Sequence, residues 1–133
     1  MADYLLDTNH ASTLVTLHHD LRRKVLDAWS AGHTFAICAP VLCETLYGIS
    51  TLPRAVQNRR EWAALRQRLT CYDLEETDAE CAADLQVSMR LSGNHLQTVD
   101  ALIAAVALRY GLILLTSDKD FHAIPNLRYE NWR

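Results

Sequence analysis

The sequence predicts a three-layer α/β fold in which a mainly parallel central sheet is flanked by helices. Short apolar runs, each long enough for a buried strand, alternate with segments whose apolar residues recur at helical spacing. Strands that alternate with helices are joined by right-handed crossovers, which make neighbouring strands parallel. The chain has 133 residues, the size of one domain, and we therefore expect a single domain over residues 1–133.

The first predicted elements are a strand, a helix and a second strand. Residues 4–6 (YLL) form a short apolar run that ends at Asp7, as expected of a buried strand. A helical stretch should follow from about His10 and end at Gly32, because glycine is a common helix stop. Residues 35–39 (FAICA) are again apolar and predict the second buried strand.

The middle of the chain is predicted to hold three helices and a short strand. Pro40 suits the first position of a helix, where its missing N–H is not needed. Residues 54–69 form a second helical pattern, and residues 72–74 predict a third strand. Residues 77–80 (TDAE) have the capping-box spacing of a helix start, and Gly93 is a suitable stop for that helix.

The last third of the chain carries the strongest helix and strand signals. From Val99 to Tyr110 one apolar stripe recurs at helical spacing, and Gly111 ends the helix. Residues 112–115 (LILL) are the clearest buried strand, which residues 116–118 close. We expect a last short strand at 127–130.

Composition and charge restrict the classes of function. Half of the residues are hydrophobic, which argues against disorder, and the net charge of −3 argues against a uniformly basic nucleic-acid binder. A local basic patch would still suffice for binding RNA. The four cysteines contain no CxxC pair, and neither a secretory signal nor a membrane-spanning apolar run is visible. We therefore expect a cytoplasmic protein with reduced cysteines.

Four acidic residues lie where predicted strands give way to helices or loops: Asp7, Glu44, Asp100 and Asp118. The ends of parallel strands meet at one edge of a sheet, so these carboxylates should converge there. Clustered carboxylates repel one another, and oxygen ligands suit Mg²⁺ or Mn²⁺. Taken singly, each acid has an ordinary alternative as a helix cap, a solvated helix residue, a helix-dipole partner or a turn residue. Together they indicate metal-assisted chemistry at phosphate.

Several stretches resemble the PIN domain, and within it the VapC-type toxins of toxin–antitoxin pairs. They are residues 4–9 (YLLDTN), 41–48 (VLCETLYG), 100–107 (DALIAAVA) and 114–121 (LLTSDKDF), followed by 124–127 (IPNL), Tyr129 and 131–132 (NW). The order and spacing of these stretches carry the resemblance, which covers nearly the whole chain.

The resemblance implies a PIN-like, Rossmann-like fold and a Mg²⁺-dependent endoribonuclease, with Mn²⁺ as a substitute ion. It assigns metal binding and catalysis to Asp7, Glu44, Asp100 and Asp118, and supporting roles to Asn9 and Thr116. Bound cations would activate a water for in-line attack on the phosphodiester and stabilise the leaving oxygen. The resemblance also implies a homodimer that is held inactive by a cognate VapB-type antitoxin.

Several assignments stay open at this point. His10 stands where the family more often has an apolar residue, and we expect it to be a partly exposed helix residue rather than a catalytic one. Asp120 is a candidate additional ligand that competes with Asp118, although the short spacing favours Asp118. Phosphate-binding candidates are Arg54, Arg59, Arg60, Arg66 and Arg68, with Lys119 beside the final acid. An ordinary solvated helix face explains the arginines equally well.

Three other functions remain as alternatives. The first is a PIN nuclease that acts in RNA processing rather than as a toxin. The second is a Rossmann-like phosphatase or phosphotransferase, but enzymes that form an aspartyl-phosphate typically need a paired Asp-x-Asp, and Asp7 is followed by Thr8 and Asn9. The third is a non-catalytic binding module, which retention of all four acids disfavours.

Overall fold

The computed structural model describes residues 1–133 and contains one five-stranded sheet. Its strands are β1 (Asp3–Leu6), β2 (Thr34–Cys38), β3 (Thr70–Tyr72), β4 (Ile113–Leu115) and β5 (Tyr129–Glu130). They lie in the order β3-β2-β1-β4-β5, and every neighbouring pair is parallel. The central strand β1 therefore pairs on one side with the next strand in sequence and on the other with β4, near the far end of the chain. The predicted fold class is confirmed, and the sheet is entirely rather than mainly parallel.

Six helices accompany the sheet: α1 (Thr8–Ala11), α2 (Asp20–Ser30), α3 (Ala39–Thr51), α4 (Ala55–Arg66), α5 (Glu76–Leu91) and α6 (Thr98–Tyr110). Two single 3₁₀ turns, Ser12–Val15 and Lys119–Phe121, complete the regular structure. No helix combines the length and the apolar character that crossing a membrane requires.

The predicted helix from His10 to Gly32 is wrong in its first half. The α1 helix is a single turn, the Ser12–Val15 turn follows it, and the regular helix starts only at Asp20. The hydroxyls of Ser12 and Thr13 donate to the carbonyls of Thr8 and Asn9. Such bonds compete with helix propagation, which is why hydroxyl residues are poor interior helix residues.

The predicted third strand and the helix start that follows it are both displaced by two residues. The strand covers Thr70–Tyr72, and its central residue Cys71 pairs with Ile37 of β2. The capping box is formed by Glu75 and Asp78, not by residues 77 and 80, and α5 begins at Glu76. Thr77 and Glu80 match the usual sequence pattern of a capping box, whereas Glu75 and Asp78 form the same pair of hydrogen bonds with acidic side chains at both positions.

The α6 helix is buried on more than one face and positions one predicted site residue. Its buried residues are Ala101, Ile103, Ala104, Ala105, Val106 and Ala107. Four of these six are alanines, which allow neighbouring backbones to pack closely. The helix ends at Gly111, whose φ of +64° is the left-handed conformation that glycine adopts without steric cost. Asp100, in the first turn, is thereby held at the start of a buried helix.

Candidate metal centre

The predicted acids lie around the carboxyl ends of the central strands. Asp7 follows β1 directly, and Asp118 lies just after β4. Glu44 is in the second turn of α3, and Asp100 is in the first turn of α6. One carboxylate oxygen from each of Asp100, Asp118 and Asp120 lies within 4.8 Å of the other two. The structure therefore brings Asp120 into the cluster as well as Asp118.

Asp7 is the most buried of these acids, at 6% exposure, and its carboxylate is held by three donors. Its Oδ1 accepts from the Thr8 N–H at 2.8 Å. Its Oδ2 accepts from Asn9 Nδ2 at 3.0 Å and from the Thr116 hydroxyl at 2.7 Å. Three donors on one carboxylate favour its ionised form and fix its orientation. Asn9 and Thr116, the two residues to which the family resemblance assigns supporting roles, thus both contact Asp7.

Thr116 also connects Asp7 to the 118–120 turn. While its hydroxyl donates to Asp7, its oxygen accepts the N–H of Asp118 at 3.0 Å. Asp118 Oδ1 in turn accepts the N–H of Asp120 at 2.9 Å. These bonds fix the backbone that carries the last two acids relative to the first one.

Glu44 is the most exposed acid of the predicted set. Its side chain is exposed, and its Oε1 accepts from the Thr8 hydroxyl at 2.8 Å. Thr8 was not predicted as a site residue, although its position directly after Asp7 offered a signal. It contacts two of the acids, because its backbone N–H binds Asp7 and its side chain binds Glu44.

The acids repel one another, and none is neutralised by a basic side chain. None of the ion pairs in the structure includes Asp7, Glu44, Asp100, Asp118 or Asp120. Burial, and then the charges of Asp7, Asp118, Asp120 and Glu44, raise the pKa of Asp100 to about 6. Burial also raises the pKa of Asp7, against the hydrogen bonds from Thr116 and Thr8, and the charges of Glu44 and Asp118 raise it further.

An unneutralised cluster of oxygen donors fits a hard divalent cation. Carboxylate oxygens are the ligands that Mg²⁺ and Mn²⁺ prefer, and a cation would offset both the burial and the repulsion that raise these pKa values. No histidine or cysteine belongs to the cluster, so the donor set does not favour zinc.

The prediction that His10 is a partly exposed helix residue is wrong. Its side chain is fully buried, and burial followed by the charge of Arg133 lowers its pKa to about 4. Its Nδ1 lies 2.6 Å from Asn9 Oδ1, and its Nε2 accepts the Trp132 N–H at 3.0 Å. Helix α1 is a single turn, and His10 is buried within it. The sequence pattern predicted a longer regular helix and did not indicate that this side chain would be buried.

The predicted phosphate-binding residues differ in how free their side chains are. Arg59 donates to the Ser50 hydroxyl, and Arg66 donates to the carbonyl of Leu69. The guanidinium of Arg68 lies over the Trp29 ring at 4.2 Å from its centroid. The side chains of Arg54, Arg60 and Lys119 are exposed and have neither an ion pair nor a hydrogen bond within the chain.

Comparison with known proteins gives consistent results. The family model described as "PIN domain" matches residues 4–127. Ribonuclease VapC2 of Rickettsia felis is 31% identical over 130 residues, which cover 97% of each chain. A crystal structure of VapBC2 from Rickettsia felis, bound to a DNA fragment from their promoter, contains a similar chain. That chain is 30% identical, with a TM-score of 0.85 and coverage of 98% of this chain and 99% of that one.

A second solved structure shows the same fold at lower identity. It is that of DNA-bound VapBC from Salmonella typhimurium, with a TM-score of 0.84 at 22% identity and full coverage of both chains.

Proposed function

The chain belongs to the PIN-domain family, and from that premise we propose that it is a divalent-metal-dependent endoribonuclease, the toxin of a VapBC-type pair. The observation that carries this proposal is the group of acids from distant parts of the chain that meet at one sheet edge without a basic partner. Burial of repelling carboxylates lowers stability, so such a group is retained where it binds a cation. We infer the ribonuclease activity from the name of the Rickettsia felis relative, Ribonuclease VapC2.

The proposed ligands are Asp7, Asp100 and Asp118, with Glu44 and Asp120 nearby to complete the set. A bound divalent cation would neutralise the cluster, supply a more acidic water at neutral pH and stabilise the leaving oxygen. The chain's own contribution is orientation: Asn9 and Thr116 hold Asp7, and Thr8 holds Glu44. Helix α6 presents Asp100 from a partly buried position in its first turn, which limits its hydration.

RNA must be held against an acidic pocket by positive side chains. Among the predicted residues, Arg54, Arg60 and Lys119 are the best candidates, because no group within the chain binds their charged ends. Arg59 and Arg66 have partners within the chain and are weaker candidates. Lys119 lies between Asp118 and Asp120 and is the candidate nearest to the proposed metal.

We expect the biological setting to follow that of the relatives. The proposal includes a single domain over residues 1–133, a homodimer in the cytoplasm, Mg²⁺ as the ion with Mn²⁺ as a substitute, and a cognate VapB-type antitoxin. The similar chain in the VapBC2 structure of Rickettsia felis supports such a partner.

Expression with and without the adjacent small gene, followed by mapping of new RNA 5′ ends, tests this function. Growth arrest with discrete RNA cuts, suppressed by the adjacent gene and lost in Asp100→Asn, is the expected result. The Asp84→Asn variant is a matched control, since it makes the same change at an exposed acid of α5 that has no ion pair. An unchanged transcriptome, together with no Mg²⁺-dependent cleavage of RNA by the purified protein, would refute the nuclease. Discrete cleavage without growth arrest would instead favour a PIN nuclease in RNA processing.

A further inference from the structure

We propose that His10 is a positioning residue that acts through Asn9 to fix Asp7 for metal binding and links the 129–132 segment to the site. This role rests on the proposed function, since it concerns the same metal site. It concerns a residue outside the four acids and their two predicted supports.

The hydrogen bonds of His10 define which ring nitrogen carries the proton. A backbone N–H can only donate, so Nε2, which lies 3.0 Å from the Trp132 nitrogen, must be the unprotonated acceptor. In a neutral ring Nδ1 then carries the proton and donates to Asn9 Oδ1 at 2.6 Å. The ring therefore accepts from the 129–132 segment on one side and donates toward the acids on the other.

This donation fixes the orientation of the Asn9 amide. Asn9 Oδ1 accepts from His10 and also from the backbone N–H of Ser117 at 3.2 Å. With its oxygen held by two donors, the amide must direct its Nδ2 toward Asp7 Oδ2 and the Thr116 hydroxyl, at 3.0 and 3.4 Å. A flipped amide would place an oxygen against the Asp7 carboxylate and an N–H₂ group against two donors.

The 129–132 segment also fixes Thr116, the second side chain that donates to Asp7 Oδ2. The carbonyl of Glu130 accepts the N–H of Thr116 at 3.0 Å, so the residue whose hydroxyl binds Asp7 is held by β5. The Trp132 ring packs against Tyr4 and Phe35, with centroids 5.0 and 5.8 Å apart. Both groups that donate to Asp7 Oδ2 therefore depend on one segment that is anchored to the core.

Two substitutions of His10 separate the two halves of this connection. The amide of glutamine lies near the position of Nε2, so His10→Gln keeps an acceptor for Trp132 and loses the donor to Asn9. The amide of asparagine lies near the position of Nδ1, so His10→Asn keeps the donor to Asn9 and loses the acceptor for Trp132. Circular dichroism and thermal unfolding in EDTA check that each variant is folded.

Mn²⁺ binding, measured from the electron paramagnetic resonance signal of the free ion, is the readout. We expect His10→Gln to weaken Mn²⁺ affinity roughly tenfold, the usual effect of losing a residue that orients a metal ligand. We expect His10→Asn to bind Mn²⁺ within about threefold of wild type, although its melting temperature falls further. A purely structural role predicts that affinity follows melting temperature, so equal losses in both variants, or none in either, would overturn the proposal.

A double-mutant cycle provides an independent test of action through Asn9. In an Asn9→Ala background, His10→Gln should weaken Mn²⁺ affinity no further, because the connection is already broken. Additive losses would overturn the proposal. Wild-type protein that binds no Mn²⁺ would refute the proposed function and this role with it, whereas wild-type binding that His10→Gln leaves unchanged would refute this role alone.

Discussion

Replacing Asp100 by asparagine should stabilise the metal-free protein at neutral pH and abolish its response to Mg²⁺. The change keeps the shape of the side chain and removes one repelling charge. Asp100 suits this test better than Asp7, because its carboxylate accepts no side-chain or backbone hydrogen bond. An amide at position 7 would instead place its N–H₂ group against one of the three donors that now bind Asp7.

The magnitude follows from the pKa of Asp100, which lies at about 6 in the folded protein and near its ordinary value of 3.8 in the unfolded chain. Between these pH values the folded state holds a proton that the unfolded state has released, so stability falls as pH rises. The full difference corresponds to at most about 3 kcal/mol, and the partial exposure of Asp100 reduces it to about 1–2 kcal/mol. Losing a favourable helix-dipole interaction costs the variant about 0.5 kcal/mol, which leaves a net gain of about 1 kcal/mol.

Thermal unfolding in EDTA at about pH 4 and about pH 7.5 measures this effect. For a chain of this length, 1 kcal/mol shifts the melting temperature by about 3–5 °C, so the variant should exceed wild type by that amount at the higher pH and match it at the lower. Millimolar Mg²⁺ should raise the melting temperature of wild type only. A variant less stable than wild type at neutral pH, or an equal Mg²⁺ shift in both proteins, would refute the proposed repulsion between Asp100 and the other acids.

Four further substitutions test three separate features. Asp118→Asn should reduce RNA cleavage at least about a hundredfold, and Asp120→Asn should reduce it less than about tenfold. The reason is that Asp118 is half-buried and its backbone N–H binds Thr116, while Asp120 is exposed. The reverse order in a cleavage assay would make Asp120 the principal ligand. Asp78→Ala should lower the free energy of unfolding, measured in urea, by about 2 kcal/mol without changing Mn²⁺ affinity. Asp78 closes the α5 capping box and pairs with Arg109. An unchanged denaturation midpoint would contradict this prediction. Gly48→Ala should raise stability by about 0.5–1 kcal/mol, since nothing lies within 4 Å of the added methyl group in helix α3; a lower melting temperature would disprove it.

Most of the fold was predictable because its signals are local. The apolar runs before Asp7 and Asp118 and the stripe that starts at Val99 are each determined by neighbouring residues. Because the predicted strands are parallel, their carboxyl ends meet at one sheet edge, so the convergence of the acids could be predicted without knowledge of side-chain contacts. The Glu75–Asp78 capping box shows where local signals fail, because residues 77 and 80 match the usual sequence pattern while the structure uses an acidic pair two residues upstream.

The role of His10 could not be predicted from local signals at all. Its partner Trp132 is 122 positions away in sequence, and the bond forms only because β5 lies beside β4. A periodic pattern from about His10 also conceals that the first helix lasts a single turn. The contact between Thr8 and Glu44 is hidden for the same reason, since it joins the start of α1 to the second turn of α3, 36 positions away in sequence.

The position of β1 at the centre of the sheet has a consequence for how the protein is made. A growing chain can pair β1 with β2, and β2 with β3, early, but Asp100 and Asp118 join Asp7 only after α6 and β4 have left the ribosome. Until then the nascent polypeptide carries no complete set of the proposed metal ligands. An enzyme that attacks RNA would in this way stay harmless to the messenger and ribosome that are producing it until α6 and β4 have folded onto β1.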